Sequence, residues 1–203
     1  MLVLQVIARV NLGGTAKYLF TLSEELPKLG IKTVIATGQV QAGEIEDPGL
    51  KKVKYIRVPN LGRKLNLLND IKASMQLRKI IIELKPDVVH THTFKAGYVI
   101  RMKKLAVPVV HTFNGHLLDD PEFSGFKSKV IIEVERMLAK KAAKLVTVGR
   151  RVADELLEQH IGSKDQYVNI PPGVVALNII PREEALKNLG LTDNGQPISG
   201  WIA

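Results

Sequence analysis

Short apolar runs alternate along this chain with segments of helical periodicity, and no other feature narrows the possible folds as much. Runs rich in Val, Ile and Leu occupy residues 2–8, 32–37, 53–58, 87–91, 107–112, 144–148 and 167–170. Between them the apolar spacing changes to 3.6 residues. Ala16, Leu19, Phe20, Ser23 and Leu26 define one helix face, and Gly30 stands just past the end. In the span 66–84, Leu67, Ile71, Met75 and Ile82 fall roughly on one apolar face, and Pro86 bars continuation. Residues 94–105 and 150–159 read as further helices, the latter ended by Gly162, and 182–189 as the last. Over 125–141, Val130, Ile131, Val134, Met137 and Leu138 form an apolar stripe. Strands separated by helices predict an α/β fold: a Rossmann-like parallel sheet with helices on both faces, built from right-handed crossovers.

Composition removes several classes of function. With 203 residues, 45% of them hydrophobic, the chain is long enough for one large globular domain. It has no cysteine, which excludes disulfides, thiolate metal sites and cysteine catalysis. No uncharged apolar run approaches the roughly 18 residues that span a bilayer. Residues 1–9 lack a basic n-region and a cleavage-like end, so a core strand is expected there and the protein is expected in the cytoplasm. The net charge of +9 comes as dispersed pairs such as Lys51-Lys52, Lys140-Lys141 and Arg150-Arg151. Such a surface is either simply solvated or attracted to an anionic membrane or a phosphorylated substrate. At 5% aromatic residues and without a recognition motif, no nucleic-acid partner is expected.

In a parallel sheet, ligands gather at the carboxyl ends of the strands. Four loops there carry polar residues. Asn11-Leu12-Gly13-Gly14-Thr15 follows the first strand. Its glycines let backbone N–H groups approach a ligand, and the helix N-terminus behind them favours an anion. His90 and His92, at i and i+2, share a face of the fourth strand, with Lys95 at the next helix start. A sugar or phosphate suits them better than a metal, because no third ligand has metal-like spacing. The fifth strand releases His111, Thr112, Asn114, Gly115 and His116, where a histidine can serve as base or hydrogen-bond donor and Asp119 or Asp120 can orient it. Arg150, at a strand end and helix start, suits a phosphate. Each of these loops also reads as a turn, a core histidine or a surface helix start. Glu135 is read as a structural partner of its neighbour Arg136.

Five segments in order resemble the N-terminal domain of a family-4 retaining glycosyltransferase of the GT-B fold. They are V-N-L-G-G-T-A-K-Y-L (10–19), P-D-V-V-H-T-H-T-F-K-A-G (86–97), V-P-V-V-H-T-F-N-G-H (107–116), V-E-R-M-L-A-K-K-A-A-K-L-V-T-V (134–148) and V-N-I-P-P-G-V (168–174). The resemblance implies two Rossmann-like domains facing across a cleft, the first mainly binding acceptor and the second holding most of a nucleotide-sugar donor, generally without a metal or other cofactor. It implies that Gly13 and Gly14 approach the donor diphosphate or the acceptor. Asn114 and His116 stand at the catalytic wall, and His92, Lys95, His111 and Arg150 contact donor or acceptor. Three positions depart from the family pattern. Asn114 stands where a histidine is common, Gly149 replaces a frequent serine, and Val174-Val175 replace the usual acidic residue. Asparagine can hydrogen-bond a sugar hydroxyl but carries no proton at neutral pH.

The resemblance implies transfer of a sugar from a nucleotide diphosphate, with retention, to a glycan, polysaccharide or lipid-linked acceptor, at the inner face of the plasma membrane. Two alternatives remain: a non-catalytic acceptor- or membrane-binding module, and a sugar-nucleotide epimerase of the same architecture. Residues 1–180 are expected to form the acceptor-side domain. Residues 181–203 are expected to form an inter-domain helix and the opening strand of a donor domain missing from this chain, which would leave the chain alone with little or no activity.

Overall fold

A computed structural model describes residues 1–115, 126–173 and 179–198. Expectations placed on His116, Asp119, Asp120, Val174, Val175 and residues 199–203 lie outside them. The chain divides into two compact units, Met1–Gly173 and Val174–Ala203. The first unit holds strands β1 (Leu2–Ile7), β2 (Lys32–Thr37), β3 (Tyr55–Arg57), β4 (Val88–His92), β5 (Val109–Phe113), β6 (Lys144–Thr147) and β7 (Tyr167–Asn169). Its helices are α1 (Gly14–Glu25), α2 (Leu67–Leu84), α3 (Thr93–Arg101), α4 (Phe126–Ala139) and α5 (Arg150–Glu158). The second unit contains α6 (Arg182–Leu189).

All seven strands are parallel, in the order β3-β2-β1-β4-β5-β6-β7. Register decides which side chain enters which layer, because paired residues point the same way and neighbours alternate. Leu4, Val6, Val34, Ala36 and Val89 face one layer, where Ala73 and Leu77 of α2 and Ala96, Val99 and Ile100 of α3 pack on them. Ile7 and Ile35 face the other layer, covered by Ala16, Leu19 and Phe20 of α1. A third apolar cluster joins Phe113 and Leu145 to Ala139, Val152, Leu156 and Ile161. Helices thus cover both faces, as the alternating pattern predicts.

Two helices are rotated from the faces their large apolar residues suggest. In α2 the buried residues are Asp70, Ala73, Ser74 and Leu77, while Leu67, Ile71, Met75 and Ile82 are exposed. Small side chains at Ala73 and Ser74 let the helix lie close to the sheet, and Asp70 is held inside by a partner cation. In α4, Ile131 and Leu138 enter the core while Val130 and Met137 remain exposed. The turn between them buries Glu135, whose partner is Arg101 of α3, 2.9 Å away, and not Arg136. Arg136 pairs with Glu133 instead. α1 ends at Glu25, ahead of Pro27, and a 3-10 turn closes at Gly30 in the left-handed region (φ 75°).

Candidate functional site

The carboxyl edge of the sheet has two levels, an open rim and a polar layer directly beneath it. The rim begins with Gly13 and Gly14 after β1. Neither glycine has any atom within 4 Å of where a side chain would stand, so a ligand can reach the backbone there. α1 starts at this point without a side-chain cap, which leaves its first N–H groups for an anion. Asn114 and Gly115 follow β5. Asn114 is half-buried and its Nδ2 donates weakly to the Thr112 carbonyl at 3.4 Å. After β6, Gly149 caps α5 with no side-chain bond, and Arg150 is exposed in the first turn. With strands about 4.8 Å apart, the rim from β1 across β4 and β5 to β6 spans about 14 Å.

Beneath the rim lie the histidines. His90 and His92 share the face toward α1, as their spacing predicts, with ring centroids 4.2 Å apart. His92 is fully buried, donates from Nε2 to Gln5 Oε1 at 2.6 Å, and meets the Tyr18 ring edge-on at 5.9 Å. His90 Nε2 and Thr112 Oγ1 share a hydrogen bond of 2.7 Å. His92 pairs in register with Thr112, so His111 points into the opposite layer. There its Nδ1 lies 2.8 Å from Thr91 Oγ1, and its ring abuts Gly97. A Cβ at position 97 would stand 2.5 Å from His111 Cε1, so only glycine lets helix and ring approach this closely.

Burial keeps these rings neutral. It lowers His90 to about 4. His92 falls well below the ordinary histidine value through burial, then through the neighbouring His90. His111 does so through burial, then through the Arg101 guanidinium. Neutral imidazoles donate and accept hydrogen bonds but supply no positive charge to a diphosphate.

Lys95 is likewise spent inside the fold. Its ammonium pairs with Asp70 and donates to the Lys64 carbonyl at 2.7 Å, and it is buried. The residues singled out from sequence therefore separate by depth. Gly13, Gly14, Asn114 and Arg150 lie along the rim, His92 and His111 lie below it on opposite faces of the sheet, and Lys95 ties α3 to α2. Among the described residues no group of three His, Asp or Glu side chains is placed to hold a metal ion.

Thr93 escaped the sequence reading. It follows His92 at the carboxyl end of β4 with φ at 69°, and its buried Oγ1 has no partner among the described residues. A β-branched residue in the left-handed region carries about 1–3 kcal/mol of strain. Strained backbone of this kind concentrates at binding sites. No residue-type or spacing signal announces it, because glycine or asparagine is the usual occupant of that region.

A family model described as Glycosyltransferase Family 4 matches residues 12–176. An Escherichia coli UDP-Gal:alpha-D-GlcNAc-diphosphoundecaprenol alpha-1,3-galactosyltransferase is 32% identical over 143 residues, which cover 66% of this chain and 35% of that protein. Among solved structures, Anabaena Alr3699/HepE in complex with UDP superposes with a TM-score of 0.67 at 14% identity, over 94% of this chain and 50% of that one. A UDP-GlcNAc 2-epimerase from Neisseria meningitidis bound to UDP-GlcNAc gives 0.61 at 18% identity, over 83% and 45%. At such identities the two superpositions establish the fold. The chain spans about a third of its curated relative and about half of these solved chains.

Proposed function

The chain belongs to glycosyltransferase family 4, and on that premise we propose that the protein transfers a sugar from a nucleotide diphosphate to a lipid-linked acceptor, with retention. The observation that carries the reading is the 32% identity to a galactosyltransferase that acts on a diphosphoundecaprenol-linked sugar. We assign the reaction to a protein holding both halves of the cleft, since this chain covers about half of its structural relatives' length. Within it, the N–H groups at Gly13 and Gly14 and the N-terminus of α1 meet the diphosphate or the acceptor. Arg150 adds a fixed positive charge at the far end of the rim. Donors preorganised toward a leaving diphosphate stabilise the charge that develops on it. Asn114 hydrogen-bonds a sugar hydroxyl without exchanging a proton, and His116 stands two residues beyond it. His92, His111 and Lys95 act from below, by fixing the strand ends that carry the rim.

A lipid-linked acceptor implies work at a membrane surface. We propose that this association is peripheral, at the inner face of the plasma membrane; no helix among the described residues is long and apolar enough to cross a bilayer. The test is transfer by the two-domain protein from UDP-sugars to a synthetic lipid-diphosphate acceptor, with the anomeric configuration of the product read by NMR. A retained linkage is expected. No turnover with any common donor, beside an active homologue, would remove the transferase reading. An epimerised sugar formed without acceptor would replace it with the epimerase alternative, and binding of acceptor without turnover with the non-catalytic one.

A further inference from the structure

The loop that carries Gly13 and Gly14 is held from one side by the connection that follows β2. The Leu12 N–H donates to the Ile45 carbonyl at 3.1 Å and the Asp47 N–H to the Val10 carbonyl at 3.0 Å, so Asn11 and Glu46 face each other as one antiparallel bridge. Two arginines fasten that connection in turn. Arg9, two residues past β1, donates from Nε to both oxygens of Glu44, at 2.7 and 2.8 Å. The same carboxylate accepts from the Gln41 amide at 3.0 Å. Arg57, the last residue of β3, donates from Nη1 and Nη2 to the two oxygens of Glu46, at 2.7 and 3.1 Å. Its Nη1 also donates to the Gly38 carbonyl, and its guanidinium lies 5.2 Å from the centre of the Tyr55 ring. Arg57 therefore ties the start of the connection, at Gly38, to its far end at Glu46.

Carboxylates at an edge that meets a diphosphate work against it. Glu46 stands one bridge and two residues of chain from Gly13, no more than about 12 Å away. At that range its charge opposes an anion. The positive charges of Arg9 and Arg57 are neutralised by their glutamates rather than offered to a ligand. The arrangement gives up attraction and secures a fixed loop. Backbone N–H groups stabilise a diphosphate best when they are already aimed at it, because a loop that must be ordered on binding weakens the complex.

We propose that Glu44 and Glu46 are positioning residues for the glycine loop. By holding Arg9 and Arg57 they fix residues 38–47, and through the bridge at Asn11 they fix the N–H groups of Gly13 and Gly14. The proposal rests on the reading of that loop as one that meets a diphosphate. It makes a prediction opposite in sign to plain electrostatics. Replacing either glutamate by glutamine makes the edge more positive, so the field alone would tighten an anion. Loss of positioning loosens it.

The test uses the chain itself, with inorganic pyrophosphate as the probe and backbone amide NMR as the readout. Pyrophosphate should shift the Gly13, Gly14 and Thr15 amide resonances of the parent. Glu44→Gln and Glu46→Gln should each weaken that binding about fivefold. Without ligand, the Leu12 and Asp47 amides should exchange with solvent at least about tenfold faster in both variants, while those of Leu4 and Val6 in β1 keep the parent rate. The two ion pairs are separate, so either variant alone carries the test. Glu24→Gln removes the same charge from an exposed position near the other end of α1, about 15 Å from Gly14, and should change neither affinity nor exchange. UDP and geranyl diphosphate, titrated in parallel, tell a donor diphosphate from an acceptor one. Unchanged Leu12 exchange in the variants would overturn the proposal. Faster exchange with equal or tighter pyrophosphate binding would also overturn it and assign the two pairs to the fold alone. A parent whose loop amides respond to none of the three probes would overturn the reading of the loop, and the proposal with it. That failure shows before any variant is made, so the two are distinct.

Discussion

The rim of the sheet and the layer beneath it use polar residues in opposite ways. On the rim, what faces outward is largely backbone: two glycines, two uncapped helix starts, an amide and one arginine. One residue deeper, three imidazoles, two buried ion pairs and a glutamine bond to groups of the fold itself, and all of them except the half-buried His90 are buried. The side chains with the most chemistry are thus the ones the interior retains. A ligand arriving at this edge meets dipoles held in place by that interior. The comparison teaches that chemical versatility is a poor guide to contact: the least functionalised residue, glycine, is the one left open.

The contrast is most severely tested at Arg101–Glu135, which is fully buried. Glu135→Ala leaves the guanidinium beside His111 without its carboxylate and should cost about 3–5 kcal/mol in urea unfolding. The paired replacement Arg101→Met/Glu135→Leu should recover most of that. A cost under about 1 kcal/mol for Glu135→Ala would mean that the lower layer is not held by its charges.

Acid should act next. Burial lowers His90 to about 4 and holds the other two histidines well below the ordinary histidine value, against about 6.5 in the unfolded chain. Below pH 6.5 the unfolded state therefore binds more protons. The stability these groups contribute is complete above that pH and is lost as pH falls toward 4. For His90 alone the loss is about 3 kcal/mol. Urea midpoints at pH 7 and 4.5 measure it, and a flat profile would mean that the histidines are wetter than the structure describes.

The rim should respond least in stability. Arg150→Ala, at an exposed helix start, should shift unfolding by no more than about 0.5 kcal/mol. In the proposed two-domain transferase it should still raise the KM of the nucleotide-sugar donor roughly tenfold, the loss of one charge-assisted hydrogen bond. An unchanged KM would remove Arg150 from the site.

The sequence displays the architecture plainly, because a parallel sheet buried on both faces writes its strands as apolar runs and its crossovers as helical periods. The Gly13-Gly14 loop and the shared face of His90 and His92 are visible for similarly local reasons. The orientation of α2 is not, because counting large apolar residues misses a helix that seats itself with Ala73 and Ser74. The depth of His111 and Lys95 is hidden too. His111 depends on Gly97, Arg101 and Glu135, and Lys95 on Asp70, which are contacts between elements that no local pattern encodes. Thr93 shows only in its backbone angle.

The strand order has a consequence in time. β1 precedes both β2 and β4 in the chain, yet it lies between them in the sheet. Its Leu2 amide is held by the Asp87 carboxylate, 85 positions later. At roughly 5–20 residues per second, β1 waits on the order of 5–15 seconds for its second neighbour to be made. Through that interval one edge of an almost wholly apolar strand stands unpaired. During its synthesis the protein passes through a state that a chaperone holding extended apolar segments is suited to protect, and slowed translation between β2 and β4 lengthens it.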